Sequence, residues 1–184
     1  MELKYRLLRS NRKSITLEIN EKGLTIRAPK RASESEIKSF ILRNEVWILK
    51  NMEKYQKRQE EYNNIEKLTN KEIKELADKA ADYIPKRVEY YASLIGVTYG
   101  RITIRNQKTR WGSCSAKGNL NFNCLLMLTP PEVIDSIVVH ELCHRKEMNH
   151  SQKFYSEVLR VYPDYKKWNK WLKENGGKIM HRMR

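Results

Sequence analysis

Three of the four histidines in this chain lie within eleven residues, in the segment HELCHRKEMNH at positions 140–150. The apolar residues before it recur at helical spacing, so His140 and His144 stand one turn apart on one helix face. That spacing suits two imidazoles that bind one metal ion. Glu141 lies at the edge of the same face, where a carboxylate takes a proton from a metal-activated water. The segment therefore predicts a helix organised around a catalytic metal centre.

His150 is the candidate for a third ligand. On an uninterrupted helix it would lie well away from the other two histidines, so we expect the helix to end after Met148 and the chain to turn back. Asn149 tolerates the left-handed conformation that such a turn uses, and Ser151 is suited to begin a new helix. Three neutral imidazoles leave one open position on a tetrahedral Zn²⁺, as in catalytic zinc sites. We therefore predict a Zn²⁺ cofactor held by His140, His144 and His150, with Glu141 as the catalytic residue.

The three cysteines are too few, and odd in number, for a disulfide framework. Cys143 lies inside the histidine segment, but its helical angle directs it away from the metal face, so we expect a small core residue. Cys114 or Cys124 would be an alternative thiolate ligand. The all-histidine set is favoured because three imidazoles already suffice for a catalytic site.

The charge is strongly basic and unevenly distributed. Lys and Arg number 37 against 22 Asp and Glu, which gives a net charge of +15 over 184 residues. Residues 1–31, 90–117 and 160–184 form three basic blocks, whereas residues 32–89 are balanced and residues 118–159 are slightly acidic. A basic surface of this kind attracts polyanions, and nucleic acid is the usual one. We therefore expect a polyanion such as nucleic acid to be a partner that docks beside the histidine segment rather than in it.

No run of apolar residues is long enough to span a membrane, and the N-terminus lacks the apolar stretch of a signal peptide. The sequence therefore predicts a cytoplasmic protein with no membrane partner, and it leaves the oligomeric state open.

Sequence patterns predict a mixture of strands and helices. Alternating residues on either side of Gly23 predict an N-terminal β-hairpin over residues 14–28. Two capping-box patterns predict a long helix from Ser33 to about residue 60 and another from Thr69 to Gly96. Short strands are expected at residues 101–105 and 119–125, with a loop between them.

Three further helices are predicted toward the C-terminus. The first begins at a Thr129 cap and carries the histidines, and the second runs from Ser151 to Tyr162. The third runs from Asp164 to about Asn175, with Gly176 and Gly177 as its stop.

Three segments in order carry a family resemblance: KTRWGSCSAKGNLNFN at 108–123, VVHELCHRKEMNHSQKFY at 138–155, and PDYKKWNKWL at 163–172. They resemble the YgjP-like metallopeptidases, which are similar in turn to the SprT-like and WLM metalloproteases. The resemblance implies an α+β, zincin-like domain with an HExxH helix, a small antiparallel sheet, an N-terminal β-hairpin and long helices. We expect residues 1–64 to hold the hairpin and long helix and residues 65–184 the catalytic domain, together one continuous YgjP-like unit.

The resemblance also implies an activity. It predicts a zinc-dependent metallopeptidase that hydrolyses protein or peptide substrates, and the SprT and WLM relatives cleave proteins bound or crosslinked to DNA. Two alternatives are a nucleic-acid-binding protein with a structural or vestigial zinc site and a zinc hydrolase of non-peptide amides. Glu141 argues against a merely structural site, which has no need of a carboxylate there. The histidine spacing equals that of metzincins, but Glu147 stands where they have glycine, so the turn must be built differently.

The substrate-binding residues are left open by the sequence. The run from Arg110 to Cys114 leads into a strand that the resemblance places along the cleft, where a zincin holds an extended substrate. For Trp111 itself, packing beneath the helices is the favoured interpretation. Aromatic residues of the C-terminal block are at helical spacing and are expected to form the apolar face of a docked helix. Candidates for stabilising the oxyanion are Tyr155, Tyr162, Tyr165 and His181.

Overall fold

A computed structural model describes residues 3–20 and 22–183. Its chain divides into two units, residues 1–64 and 65–184. Both units mix helices with a small sheet, so the predicted α+β class is confirmed.

The first unit begins with three strands and ends with two helices. These elements are β1 (Tyr5–Ser10), β2 (Thr16–Asn20), β3 (Gly23–Pro29), α1 (Glu34–Arg43) and α2 (Glu45–Asn63). β2 and β3 pair antiparallel with Asn20 opposite Gly23, which confirms the hairpin. The sheet has the order β1-β3-β2, and the unpredicted β1 runs parallel to β3. Apolar residues from β3 and both helices form the core of this unit.

The long helix predicted from Ser33 to about residue 60 is wrong in one respect, because it is two helices. Ser33 and Glu36 form the expected capping box at the start of α1. The break lies at Asn44, whose side-chain amide donates to the Phe40 carbonyl at 2.8 Å. A short amide side chain that competes for backbone carbonyls favours a helix end at this position.

The second unit holds the remaining helices and a second sheet. Its elements are α3 (Asn70–Ile95), β4 (Ile102–Arg105), β5 (Gly112–Cys114), β6 (Leu120–Asn123), a 3₁₀ helix (Cys124–Leu128), α4 (Pro131–Cys143), α5 (Gln152–Val161) and α6 (Tyr165–His181). The predicted limits of α3 are confirmed: Thr69 and Glu72 form a capping box, and Gly96 ends the helix with a left-handed φ of 74°. Pro85 lies within this helix.

The sheet of the second unit is mixed, so the prediction of an antiparallel sheet was wrong. β4 runs parallel to β6, whereas β5 runs antiparallel to β6, in the order β4-β6-β5. β5 was predicted as loop, because three residues, Gly-Ser-Cys, are too short to show alternation. Its position at the edge of the sheet brings it against α4.

Two helix ends differ from the predictions. Thr129 does not cap α4; its hydroxyl donates to the Leu126 carbonyl at 2.7 Å, and Pro130 occupies the cap position. Gly176 and Gly177 do not end α6, which continues to His181. A Cβ atom on Gly176 would lie only 3.0 Å from the Trp111 ring, so this glycine provides room for an aromatic neighbour.

α3 and α4 form the centre of the second unit. Their apolar faces pack together and against β6, with Ile84, Val88, Phe122, Val138 and Leu142 among the buried side chains. Cys143 is buried in this core, as predicted. Arg87 of α3 binds Asp135 of α4 through two hydrogen bonds of 2.7 and 2.8 Å. The helix that carries the histidines is therefore fixed by both packing and an ion pair. Within the described residues, no helix is both long and apolar enough to cross a membrane.

Candidate metal centre and active-site cleft

Three imidazoles converge at the C-terminal end of α4. His140 lies in its last turn, His144 follows it as the C-cap, and His150 comes from the connection to α5. The His140 and His150 Nε2 atoms are 3.1 Å apart, and one nitrogen from each of the three rings lies within 4.8 Å of the others. Within residues 3–20 and 22–183, this is the one cluster of three or more potential metal ligands.

The turn that returns His150 to this cluster begins earlier than predicted. The helix ends at Cys143 rather than after Met148, and the next residues form turns whose N–H groups donate to the Leu142 and Cys143 carbonyls. The Asn149 side chain then accepts a hydrogen bond from the Ser151 backbone N–H. An early helix end gives the chain enough turn residues to bring His150 back over the helix end.

The ring of Phe154 contacts all three imidazoles. Ser151 caps α5 by accepting from the Phe154 N–H, and this phenylalanine is fully buried. Its ring centroid lies 4.6–4.9 Å from those of the three histidines. Phe154 was not singled out from the sequence. Its position three residues after the predicted cap Ser151 places it in the first turn of α5, next to His150, and could have indicated a contact with the histidines.

The outer nitrogens of two imidazoles are occupied. His140 Nδ1 lies 2.9 Å from the Tyr165 hydroxyl, and His144 Nδ1 lies 3.1 Å from the Glu147 carbonyl. A carbonyl can only accept, so Nδ1 of His144 carries the proton and its Nε2 presents a lone pair. Partners of this kind hold metal-binding histidines in one orientation.

Burial favours the neutral forms of His140 and His144. It lowers the pKa of His140 to about 3, with further lowering from the neighbouring His144 and His150. Burial also lowers the pKa of His144. The Nε2 atoms of His140 and His150 lie 3.1 Å apart, close enough for both to bind one cation. The donor set therefore fits a divalent metal ion.

Glu141 lies beside this cluster, 6% exposed, with its side chain against β5. A Cβ atom on Gly112 would lie 2.7 Å from its Oε1 atom, so only glycine leaves room for the carboxylate. Burial raises the pKa of Glu141 to about 8, although the Arg110 charge and the Cys114 backbone N–H lower it. A cation held by the imidazoles would lower this pKa further, because it stabilises the carboxylate.

These groups share one cleft. Its walls are the segment that leads into β5, the end of α4, and the turn that carries Met148 and His150. The cleft contains one buried carboxylate, three imidazoles and one guanidinium, from Arg110. This arrangement can hold a metal and move a proton beside it.

The protein-family model described as the YgjP-like, metallopeptidase domain matches residues 13–74 and 60–175. The chain belongs to the YgjP-like metallopeptidase family. It is therefore a hydrolase whose substrates are proteins or peptides, and its family implies a metal ion.

Two solved structures that are similar to part of this chain are metallopeptidase zymogens. The metallopeptidase zymogen of Pyrococcus abyssi abylysin is similar, with 23% identity and a TM-score of 0.45 over 50% of this chain and 93% of that one. The zymogen of Methanocaldococcus jannaschii jannalysin has 21% identity and a TM-score of 0.45 over 50% and 95%. No curated protein matches the chain.

The remaining candidate residues of this YgjP-like metallopeptidase occupy different places. Among the four proposed for the oxyanion, the Tyr165 hydroxyl contacts His140, and the Tyr162 hydroxyl donates to the Glu132 carbonyl. Tyr155 is 39% exposed, with its ring centroid 6.2 Å from that of His150. His181 lies in the last turn of α6, away from the cleft lining.

The three cysteines lie in two different environments. Cys114 lines the cleft, whereas Cys124 and Cys143 are buried in the core, and the potential ligand cluster contains histidines alone.

Proposed function

We propose that this YgjP-like metallopeptidase is a zinc enzyme in which His140, His144 and His150 hold Zn²⁺ and Glu141 moves the proton. The observation that carries this proposal is the convergence of three imidazoles beside one buried carboxylate. An all-nitrogen set of three ligands with an open position is the arrangement of catalytic zinc sites. When bound, Zn²⁺ supplies Lewis acidity, which polarises the scissile carbonyl and acidifies the attacking water.

The residues of the chain perform the other tasks. Glu141, as a carboxylate facing the cleft, accepts a proton from the attacking water and then donates it to the nitrogen of the leaving amine. Tyr165 and the Glu147 carbonyl hold the rings of His140 and His144 in place. β5 is at an edge of its sheet and lines the same cleft, and this position supports the binding of an extended peptide alongside it.

Metal content and peptide hydrolysis test this proposal together. We expect one tightly bound Zn²⁺ per chain, severe metal loss in His150→Ala, and full metal content in the control His181→Ala. Glu141→Gln should keep the metal and lose hydrolysis by about 10²–10⁴-fold. A Glu141→Gln variant as active as the parent would remove this residue from the mechanism. Unchanged metal content in His150→Ala would remove His150 from the ligand set.

A second proposal concerns the location of the substrates: we infer that the enzyme acts on proteins associated with DNA. The supporting observation is the set of exposed basic residues in the loop at 106–110 and on α6. Asn123 donates to the Gln107 and Arg110 carbonyls, and Trp111 packs on Gly176, so the loop is held beside α6. The lysines on the exposed side of that helix are Lys166, Lys167, Lys170, Lys173 and Lys178.

These exposed basic residues predict salt-dependent DNA binding with weak sequence preference. Phosphate contacts release counterions, so the affinity for single- and double-stranded DNA should fall steeply with salt. Binding isotherms at several salt concentrations measure this effect, and hydrolysis of a DNA-binding protein with and without DNA measures its consequence. Negligible affinity at low salt would favour a peptidase that acts independently of DNA.

A further inference from the structure

Arg110 places a guanidinium group in the active-site cleft. Arg110 lines the cleft together with the imidazoles of His140 and His150 and the carboxylate of Glu141, and it is the one Lys or Arg in that lining. Its side chain is exposed. Among the residues that the structure describes, the Arg110 guanidinium makes no hydrogen bond and no ion pair. The proposed mechanism does not use this group.

The backbone that carries Arg110 is firmly held. The Asn123 side-chain amide donates to the Arg110 carbonyl at 2.9 Å, and the Asn123 backbone N–H donates to the Trp111 carbonyl at 2.8 Å. Asn123 is 1% exposed, and the Trp111 ring packs against Gly176 of α6. Arg110 therefore lines the cleft from a fixed backbone position.

Arg110 and Glu141 interact electrostatically but do not form an ion pair. Glu141 instead accepts from the Cys114 backbone N–H, close to Gly112. Because the guanidinium has no hydrogen bond or ion pair among the described residues, its N–H donors are available to an incoming anion. A carboxylate matches their planar geometry with two parallel hydrogen bonds.

We propose that Arg110 forms a specificity subsite that binds a carboxylate of the peptide substrate. This inference rests on the proposed function, since it assumes that the scissile bond lies in this cleft beside Glu141. The carboxylate belongs either to an acidic side chain near the scissile bond or to the C-terminus of a short peptide. Both sources present the same group to the guanidinium.

Matched peptides separate the two sources. One peptide has an internal Glu and an amidated C-terminus, a second has Gln with a free C-terminus, and a third has Gln with an amidated C-terminus. We expect kcat/KM for the second or the first peptide to exceed that for the third by about tenfold or more, mainly through KM. The peptide that shows the preference identifies the source of the carboxylate.

Variants assign the preference to Arg110. Arg110→Gln should reduce the ratio between carboxylate and amide peptides to near one, and Arg110→Glu should favour a peptide with Lys in place of the internal Glu. The control is Arg101→Gln, which removes a cation outside the cleft lining and should keep the parent ratio. Equal rates for all three peptides in the parent enzyme, or an unchanged ratio in Arg110→Gln, would overturn the subsite.

A binding measurement keeps this test separate from the proposed function. In the Glu141→Gln variant, calorimetry with the same peptides should show tighter binding of the carboxylate peptide by about tenfold, and Arg110→Gln in that background should abolish the difference. Hydrolysis of the fully amidated peptide that depends on Glu141, but with no carboxylate preference, would refute the subsite alone. Absence of any hydrolysis together with a carboxylate preference in binding would refute the proposed function alone.

Discussion

The hydroxyl oxygen of Tyr165 lies 2.9 Å from Nδ1 of His140, and the two rings stack with an angle of 18° between their planes. Tyr165 is the first residue of α6, so the start of this helix reaches directly behind the candidate metal centre. Its side chain is 5% exposed. Tyr165 therefore fixes the orientation of His140 from outside the cleft, which separates it from the other candidates for the oxyanion.

Tyr165→Phe should weaken zinc binding by about 10- to 100-fold, because the outer partner of a ligating histidine sets its orientation and basicity. Competition with a chelator of known affinity measures the change. Tyr162→Phe is a matched control, since it removes a hydroxyl that donates to the Glu132 carbonyl instead. Equal zinc affinities in the two variants would contradict the role assigned to Tyr165.

Gly112→Ala should displace the carboxylate of Glu141. The new methyl group would lie 2.7–3.0 Å from three atoms of that side chain, so the carboxylate must move. A displacement of about 1 Å at a reacting group lowers kcat by about 10²-fold. We expect hydrolysis to fall by that factor while the zinc content stays at the parent value. Parent activity in this variant would show that the contact between β5 and Glu141 is unimportant for catalysis.

Glu157 should stabilise the protein in a pH-dependent way. Hydrogen bonds from Arg160 and Lys146 lower the pKa of Glu157 to about 2 from its ordinary value of 4.5. Because the folded pKa lies below the unfolded one, the stabilisation is fully present above about pH 4.5 and is lost as the pH falls toward 2.

The size of this effect is modest, because Lys146 and Arg160 are 40% and 54% exposed. Glu157→Gln should lower the free energy of unfolding by about 1 kcal/mol at pH 7 and by almost nothing near pH 2. Urea unfolding of the metal-free protein, followed by tryptophan fluorescence, measures this difference, since three of the four tryptophans lie in residues 65–184. An equal loss at both pH values would mean that the charge of Glu157 is not responsible.

Asp135→Asn should destabilise the packing of α3 against α4. Asp135 is 9% exposed and accepts from Arg87 and from the Tyr91 hydroxyl. Removing its charge leaves a partly buried guanidinium without its partner, which costs about 2–3 kcal/mol.

The matched control for Asp135 is Asp82→Asn on α3. Its partner is Lys86, and the two side chains are 74% and 67% exposed, so the expected cost is below about 0.5 kcal/mol. Urea unfolding compares the two variants. Similar losses in both would indicate that burial does not strengthen the Arg87 pair.

The sequence by itself determined the features that depend on neighbouring residues. The capping boxes at Ser33 and Thr69 and the left-handed Gly96 are local hydrogen-bond and backbone preferences, so they could be predicted directly. The spacing of His140 and His144 follows in the same way from the period of a helix. His140, His144 and Glu141 could therefore be proposed as one site from their spacing, whereas His150 also required a turn after the helix; the roles of all four stay a prediction.

Tertiary structure alone decided the features that depend on distant residues. Gly176 has the local signature of a helix end, but the ring of Trp111, which is distant in the chain, occupies the space beside it, and α6 continues. β5 exists because β6 offers it hydrogen bonds, and Tyr165 reaches His140 only when α6 docks behind α4. Each of these contacts joins residues far apart in the chain, and packing outweighs the local preferences from which the sequence was interpreted.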